Sequence, residues 1–162
     1  QTFASDAAYL SRATTGLAGG DWWPCDYGPD LSRGFRALKT WFTLKTHGTE
    51  ALGNAMSANC RLARALAGRI EREPTLKLLA PVALNIVCFA YVGPNGTAPA
   101  SVNSHIVERL HAEGRVAPSL THLNGQPAIR AAIVNHRTRQ ADIDALVHSV
   151  LTIGSQQDLP QC

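Results

Sequence analysis

Arg130 interrupts the apolar run Ala128-Ile129-Arg130-Ala131-Ala132-Ile133-Val134, and a guanidinium in that setting must reach water or a fixed anion. Its planar fork suits bidentate pairing with a carboxylate. An outward-facing strand arginine or an internal salt-bridge partner is the competing reading, because alternation turns every second strand residue away from a core. Tyr9, in Phe3-x-x-Asp6-x-x-Tyr9-Leu10, carries a phenol that both donates and accepts a hydrogen bond, and a loop can bring such a group into a site while excluding water. The alternative for Tyr9 is an aromatic anchor on a flexible arm. Ser32 stands just before a helical pattern, where its hydroxyl either caps the helix or faces an anion.

Other residue sets exclude chemistries. His47, His105, His111, His122, His136 and His148 show no i, i+4 pair and no cysteine companion at zinc-like spacing, so no metal site is predicted. Asp142 and Asp144 lie two apart on a predicted helix and point to different faces, which rules out a paired-carboxylate catalyst. Gly93-Pro94-Asn95-Gly96 lacks the spacing of a phosphate-binding loop. The formal charge of +3 is small and its basic residues are scattered, so neither composition nor pattern marks a nucleic-acid surface. The stretch Leu78 to Val92 is broken by Pro81 and Asn85 and is too short to span a bilayer, and no signal-like N-terminus is visible. A soluble chain without nucleic-acid or membrane partners is expected. Cys25, Cys60, Cys88 and Cys162 form no C-x-x-C pair and read as reduced thiols of a cytoplasmic protein, with Cys60 and Cys88 as small buried hydrophobes.

The elements that must position these residues follow from periodicity. Residues 1–30 carry Gly16, Gly19, Gly20, Pro24, Gly28 and Pro29 without a sustained period and read as an arm or loop. From Leu31, apolar residues at three- and four-residue steps predict a helix ending near Gly48; Thr49 then opens a longer one through Leu52, Met56, Cys60, Ala63, Leu66 and Ile70 to Pro74. Leu76–Leu79 and Ile86–Val92 read as strands, and Ser101 starts a helix that stops at Gly114. Val116–Leu123 and Ala128–Val134 flank the hairpin dipeptide Asn124-Gly125, and a last helix starts near Thr138 with Ile143, Leu146, Val147 and Val150 on one face. At 162 residues one core is the default. The order predicts an α+β two-layer sandwich: a mainly antiparallel sheet with helices on one face, over residues 31–162, preceded by the arm of residues 1–30.

The block Ser32-Arg33-Gly34-Phe35-Arg36-Ala37-Leu38-Lys39-Thr40-Trp41-Phe42 resembles the start of the C-terminal region in pyridoxal-phosphate-dependent group II decarboxylases, the family of the aromatic-amino-acid and glutamate decarboxylases. The resemblance extends to Asp26-Tyr27-Gly28, to Ile86–Val92 and to Ala128–Asn135. Gly34 departs from it, standing where many members carry a second arginine, and on the residues alone Phe35 and Trp41 need only be core. The resemblance implies a small C-terminal α+β domain of an amino-acid-metabolising lyase, with pyridoxal 5'-phosphate as the cofactor of the complete enzyme and an amino acid as substrate.

It also implies roles. Tyr9 matches the mobile-loop tyrosine that delivers a proton to the substrate α-carbon, although Ala8 and the lack of a preceding proline depart from that loop. Arg130 matches the arginine that helps hold the substrate α-carboxylate, and Ser32 the residue that approaches the cofactor phosphate held by the neighbouring subunit of a homodimer. Lys39, Lys45 and Lys77 lack the Asn-x-His-Lys type of context in which the family carries its Schiff-base lysine. That lysine is expected in a large domain preceding Gln1, so the isolated chain is expected to bind no cofactor covalently and to be inactive. A non-catalytic α+β binding or dimerisation module is the alternative reading.

Overall fold

The computed structural model describes Ser32 and residues 34–96 and 98–157. Two compact units divide the chain, Gln1–Thr46 and His47–Cys162. The expected arm of residues 1–30 lies outside the described residues.

Helix α1 (Ala37–Glu71) runs across that division and is interrupted at Gly48, whose φ of 76° and ψ of 161° are open to glycine and strained for any other residue. The interruption falls where the sequence places a helix stop and a restart. The first turn, however, begins at Ala37 and not near Leu31. Gly34 and Phe35 are non-helical, and the Arg36 N–H donates to the Gly34 carbonyl at 2.8 Å in a tight turn that precedes the helix. Glycine's freedom disfavours early nucleation, so the apolar period extends further upstream than the helix does.

Within the first unit, Phe35 and Trp41 are 72% and 51% exposed, and Leu38, Phe42 and Leu44 are exposed beside them. These side chains are not core residues of the described chain, which corrects the plain reading of the block. Trp41 and Phe42 meet edge to face at 5.1 Å, and Lys45 Nζ lies 5.9 Å from the Trp41 ring centre.

The second unit follows the predicted order: β1 (Leu76–Leu78), β2 (Ile86–Tyr91), α2 (Ser101–Glu113), β3 (Ser119–Leu123), β4 (Gln126–Ala132) and α3 (Gln140–Gln157). Gly114, at φ 69°, ends α2 with its N–H on the Leu110 carbonyl at 3.1 Å. Asn124 and Gly125 both take positive φ, 51° and 76°, as a two-residue hairpin turn requires. Asp142 accepts the Arg139 N–H at 2.8 Å and so satisfies a donor at the start of α3.

The sheet order is β1-β2-β4-β3 with every neighbouring pair antiparallel. Val87, Phe89 and Tyr91 on β2, with Ile129 and Ala131 on β4, form the buried face. They pack with Leu66 and Ile70 of α1, Ile106 and Leu110 of α2, and Val147 and Val150 of α3. Tyr91 also fixes a glycine, since a Cβ on Gly154 of α3 would stand 2.5 Å from its ring.

Both ends of the β2–β4 ladder are closed by asparagine side chains. At one end Asn85 accepts the Ile133 N–H through its main chain and donates its amide to the Ile133 carbonyl, both at 2.9 Å. The other end is set by a proline. Cys88 and Val92 hydrogen-bond toward β1, so the alternate residues Val87, Phe89 and Tyr91 present their main-chain groups to β4. Continuing the Phe89–Ile129 register puts Pro127 opposite Tyr91, and proline has no N–H to give. The buried Asn103 of α2 fills the place: its carbonyl accepts the Tyr91 N–H at 2.8 Å and its amide donates to the Tyr91 carbonyl at 3.2 Å.

Candidate functional site

Strand alternation sorts the sheet residues into two faces. On the face away from the buried cluster lie Lys77 of β1, Ile86, Cys88 and Ala90 of β2, Ala128, Arg130 and Ala132 of β4, and Ser119 and Thr121 of β3. Arg130 stands in its middle, half-buried, with Cys88 opposite on β2 and Ser119 opposite on β3. Ala128 and Ala132 flank it along its own strand. No carboxylate belongs to this face of the four strands. Among the described residues the guanidinium meets Ser119, Nη1 to Oγ at 3.5 Å, and Ser119 Oγ in turn donates to the Arg130 carbonyl at 3.3 Å. The guanidinium thus sits among small uncharged side chains of the sheet.

The other predicted positions are less constrained. Ser32 lies on an exposed bend upstream of Ala37 and is therefore not the N-cap of α1, because the Gly34–Arg36 turn intervenes. Tyr9 lies outside the described residues. Ser32 and Arg130 belong to different compact units, each described by itself. Asp142 and Asp144 do different work: the first caps α3, whereas the second accepts Arg69 Nη1 at 3.3 Å. Cys60 and Cys88 are free, half-buried thiols, more accessible than the buried state expected of them. Among the described residues no group of three or more His, Cys, Asp and Glu comes together.

A cleft of about 510 Å³ opens between Ala131 of β4 and Ile133 just after it, the segment Arg115–Pro118 and the start of α3. Arg130 does not line it. Neither this cleft nor a smaller one beside Tyr91 and His148 is lined by a lysine. Sequence reasoning missed Ser119 and Asn103. The first is visible only once the β3–β4 register is known, and the signal for the second is Pro127 inside a strand.

The two-layer domain matches solved enzymes. Oryza sativa TDC with PLP superimposes at a TM-score of 0.75 over 83% of this chain and 30% of its own, at 18% identity; mouse CSAD does so at 0.72 over 80% and 30%, at 22% identity. Those likenesses define the fold. The sequence defines the family, since residues 1–92, more than half of the chain, match the model described as the pyridoxal-dependent decarboxylase conserved domain. The chain belongs to that pyridoxal-dependent decarboxylase family.

Among curated relatives, the 3,4-dihydroxyphenylacetaldehyde synthase of Drosophila melanogaster is 30% identical over 114 residues, 70% of this chain and 21% of that protein. The aromatic-L-amino-acid decarboxylase of Bacillus atrophaeus is 26% identical over 161 residues, 96% of this chain and 33% of that protein. The chain thus spans about a fifth to a third of the length of these relatives.

Proposed function

We propose that this chain is the C-terminal part of a pyridoxal-phosphate-dependent amino-acid decarboxylase and that Arg130 holds the α-carboxylate of the substrate. The observation that carries the reading is the carboxylate-free sheet face, which among the described residues gives the guanidinium no counter-ion and leaves most of its five donors for a ligand. The cofactor, once bound, serves as the electron sink for breaking a bond to the α-carbon. Arg130 would orient that bond by fixing the group at its far end. Tyr9 is assigned proton delivery to the α-carbon, and Ser32 a contact to the phosphate held by the neighbouring subunit of a homodimer. Both assignments rest on the family pattern. The cofactor lysine is assigned to a large domain outside this chain, and a cytoplasmic setting goes with the reduced thiols.

The test compares the 162-residue chain alone with the polypeptide extended by upstream coding sequence. With pyridoxal phosphate, the chain alone should show no protein-bound Schiff-base absorbance and release no carbon dioxide from a panel of amino acids, whereas the extended polypeptide should do both. Amine and aldehyde products are both followed, because the matched relatives include a decarboxylase and an aldehyde synthase. A Schiff base on the chain alone would sink the assignment of the lysine.

A second reading, a non-catalytic dimerisation module, is favoured by the exposed Phe35, Trp41 and Phe42. Such a stripe supports self-association in either reading. Sedimentation of the isolated chain should show concentration-dependent association, and a monodisperse monomer at high concentration would count against it.

A further inference from the structure

We propose that Ser119 is the positioning residue of Arg130, setting the guanidinium in the orientation that receives the substrate carboxylate; this rests on the reading of Arg130 given above. An arginine side chain has many rotamers, and something must select one if its fork is to meet a carboxylate in plane. Of the four residues around Arg130 on its face, Ala128 and Ala132 offer no polar side-chain atom and Cys88 offers only a weakly accepting sulfur. Ser119 alone presents an oxygen.

A hydroxyl has one hydrogen and two lone pairs. Here the hydrogen goes to the Arg130 carbonyl at 3.3 Å, and that bond leaves a lone pair toward Nη1 at 3.5 Å. The backbone of Arg130 therefore aims the hydroxyl, and the hydroxyl aims the side chain of the same residue. The Nη1 contact is long, so it orients more than it stabilises. It uses one donor and leaves the remaining donors of the fork for a bidentate partner. Ser119 itself is held in place. It opens β3 directly after Pro118, whose carbonyl accepts from His111 Nε2 at 2.6 Å, tying the start of the strand to the last turn of α2.

The experiment uses the complete decarboxylase carrying this chain, with Ser119→Ala, Ser119→Thr, Arg130→Lys and the double variant Ser119→Ala/Arg130→Lys. Three quantities are read: KM for the amino acid, kcat, and the inhibition constant of the amine product, which lacks the carboxylate. Ser119→Ala should raise KM roughly threefold to tenfold at nearly constant kcat, the scale of one oriented hydrogen bond. The amine's inhibition constant should not move. Ser119→Thr, which keeps the hydroxyl, should restore KM, and the double variant should be no worse than Arg130→Lys.

If Arg130→Lys raises KM and Ser119→Ala does not, Arg130 keeps its role and the positioning role of Ser119 is overturned. If neither raises KM, the reading of Arg130 has failed and the inference with it. An equal shift in the amine's inhibition constant would mark Ser119 as merely structural and overturn the inference as well.

Discussion

The two faces of the sheet are built from the same strands and obey different rules. Toward the helices, Val87, Phe89 and Ile129 are fully buried and Tyr91 and Ala131 nearly so, and the Tyr91 main chain is satisfied by the Asn103 side chain. On the other side, Cys88 and Arg130 are half-buried and Ser119 and Ile86 exposed. One face is complete within the described residues. The other holds a cation whose charge nothing beside it on the sheet answers. With Arg130 in its proposed role, stability and function are separated by a single step along β4, from Ile129 to Arg130.

That separation can be broken from the stable side first. Phe89→Ala removes a fully buried ring and should cost about 3–5 kcal/mol, read as a fall in the denaturation midpoint. Asn103→Ala should come next, at about 2–3 kcal/mol, because it strips partners from the Tyr91 N–H and carbonyl together. Hydrogen exchange should locate the loss at the Tyr91 amide. Gly154→Ala forces a methyl into the Tyr91 ring and should cost about 2 kcal/mol by overpacking. On the other face, Arg130→Ala should leave thermal stability within about 0.5 kcal/mol of the parent. A large loss of stability there would mean that Arg130 belongs to the fold, and the contrast between the faces would collapse.

The legible parts of the molecule were those marked by local chemistry. Gly48, Gly114 and the pair Asn124-Gly125 each announce a backbone conformation that side-chain-bearing residues avoid, and each stands where the chain stops or turns. Arg130 was legible as an anomaly, because alternation alone puts it opposite to Ile129 and Ala131. The start of α1 was not. Phe35, Leu38 and Phe42 have helical spacing, and spacing cannot say whether a stripe faces a core or solvent, nor that Gly34 delays the first turn. Ser119 and Asn103 were illegible for another reason: each acts through a partner distant in sequence, Arg130 across a register and Tyr91 in place of a proline.

The proline has a consequence for how this sequence can change over generations. The Asn103 amide stands in for the N–H that Pro127 withholds from the Tyr91 carbonyl, while its oxygen takes the Tyr91 N–H. Replace Pro127 with valine first, and the strand regains a donor that can pair with the Tyr91 carbonyl, after which the loss of Asn103 costs less. Lose Asn103 first, and the intermediate carries the whole penalty. The two positions therefore form an ordered pair, in which one mutational path is cheaper than the reverse.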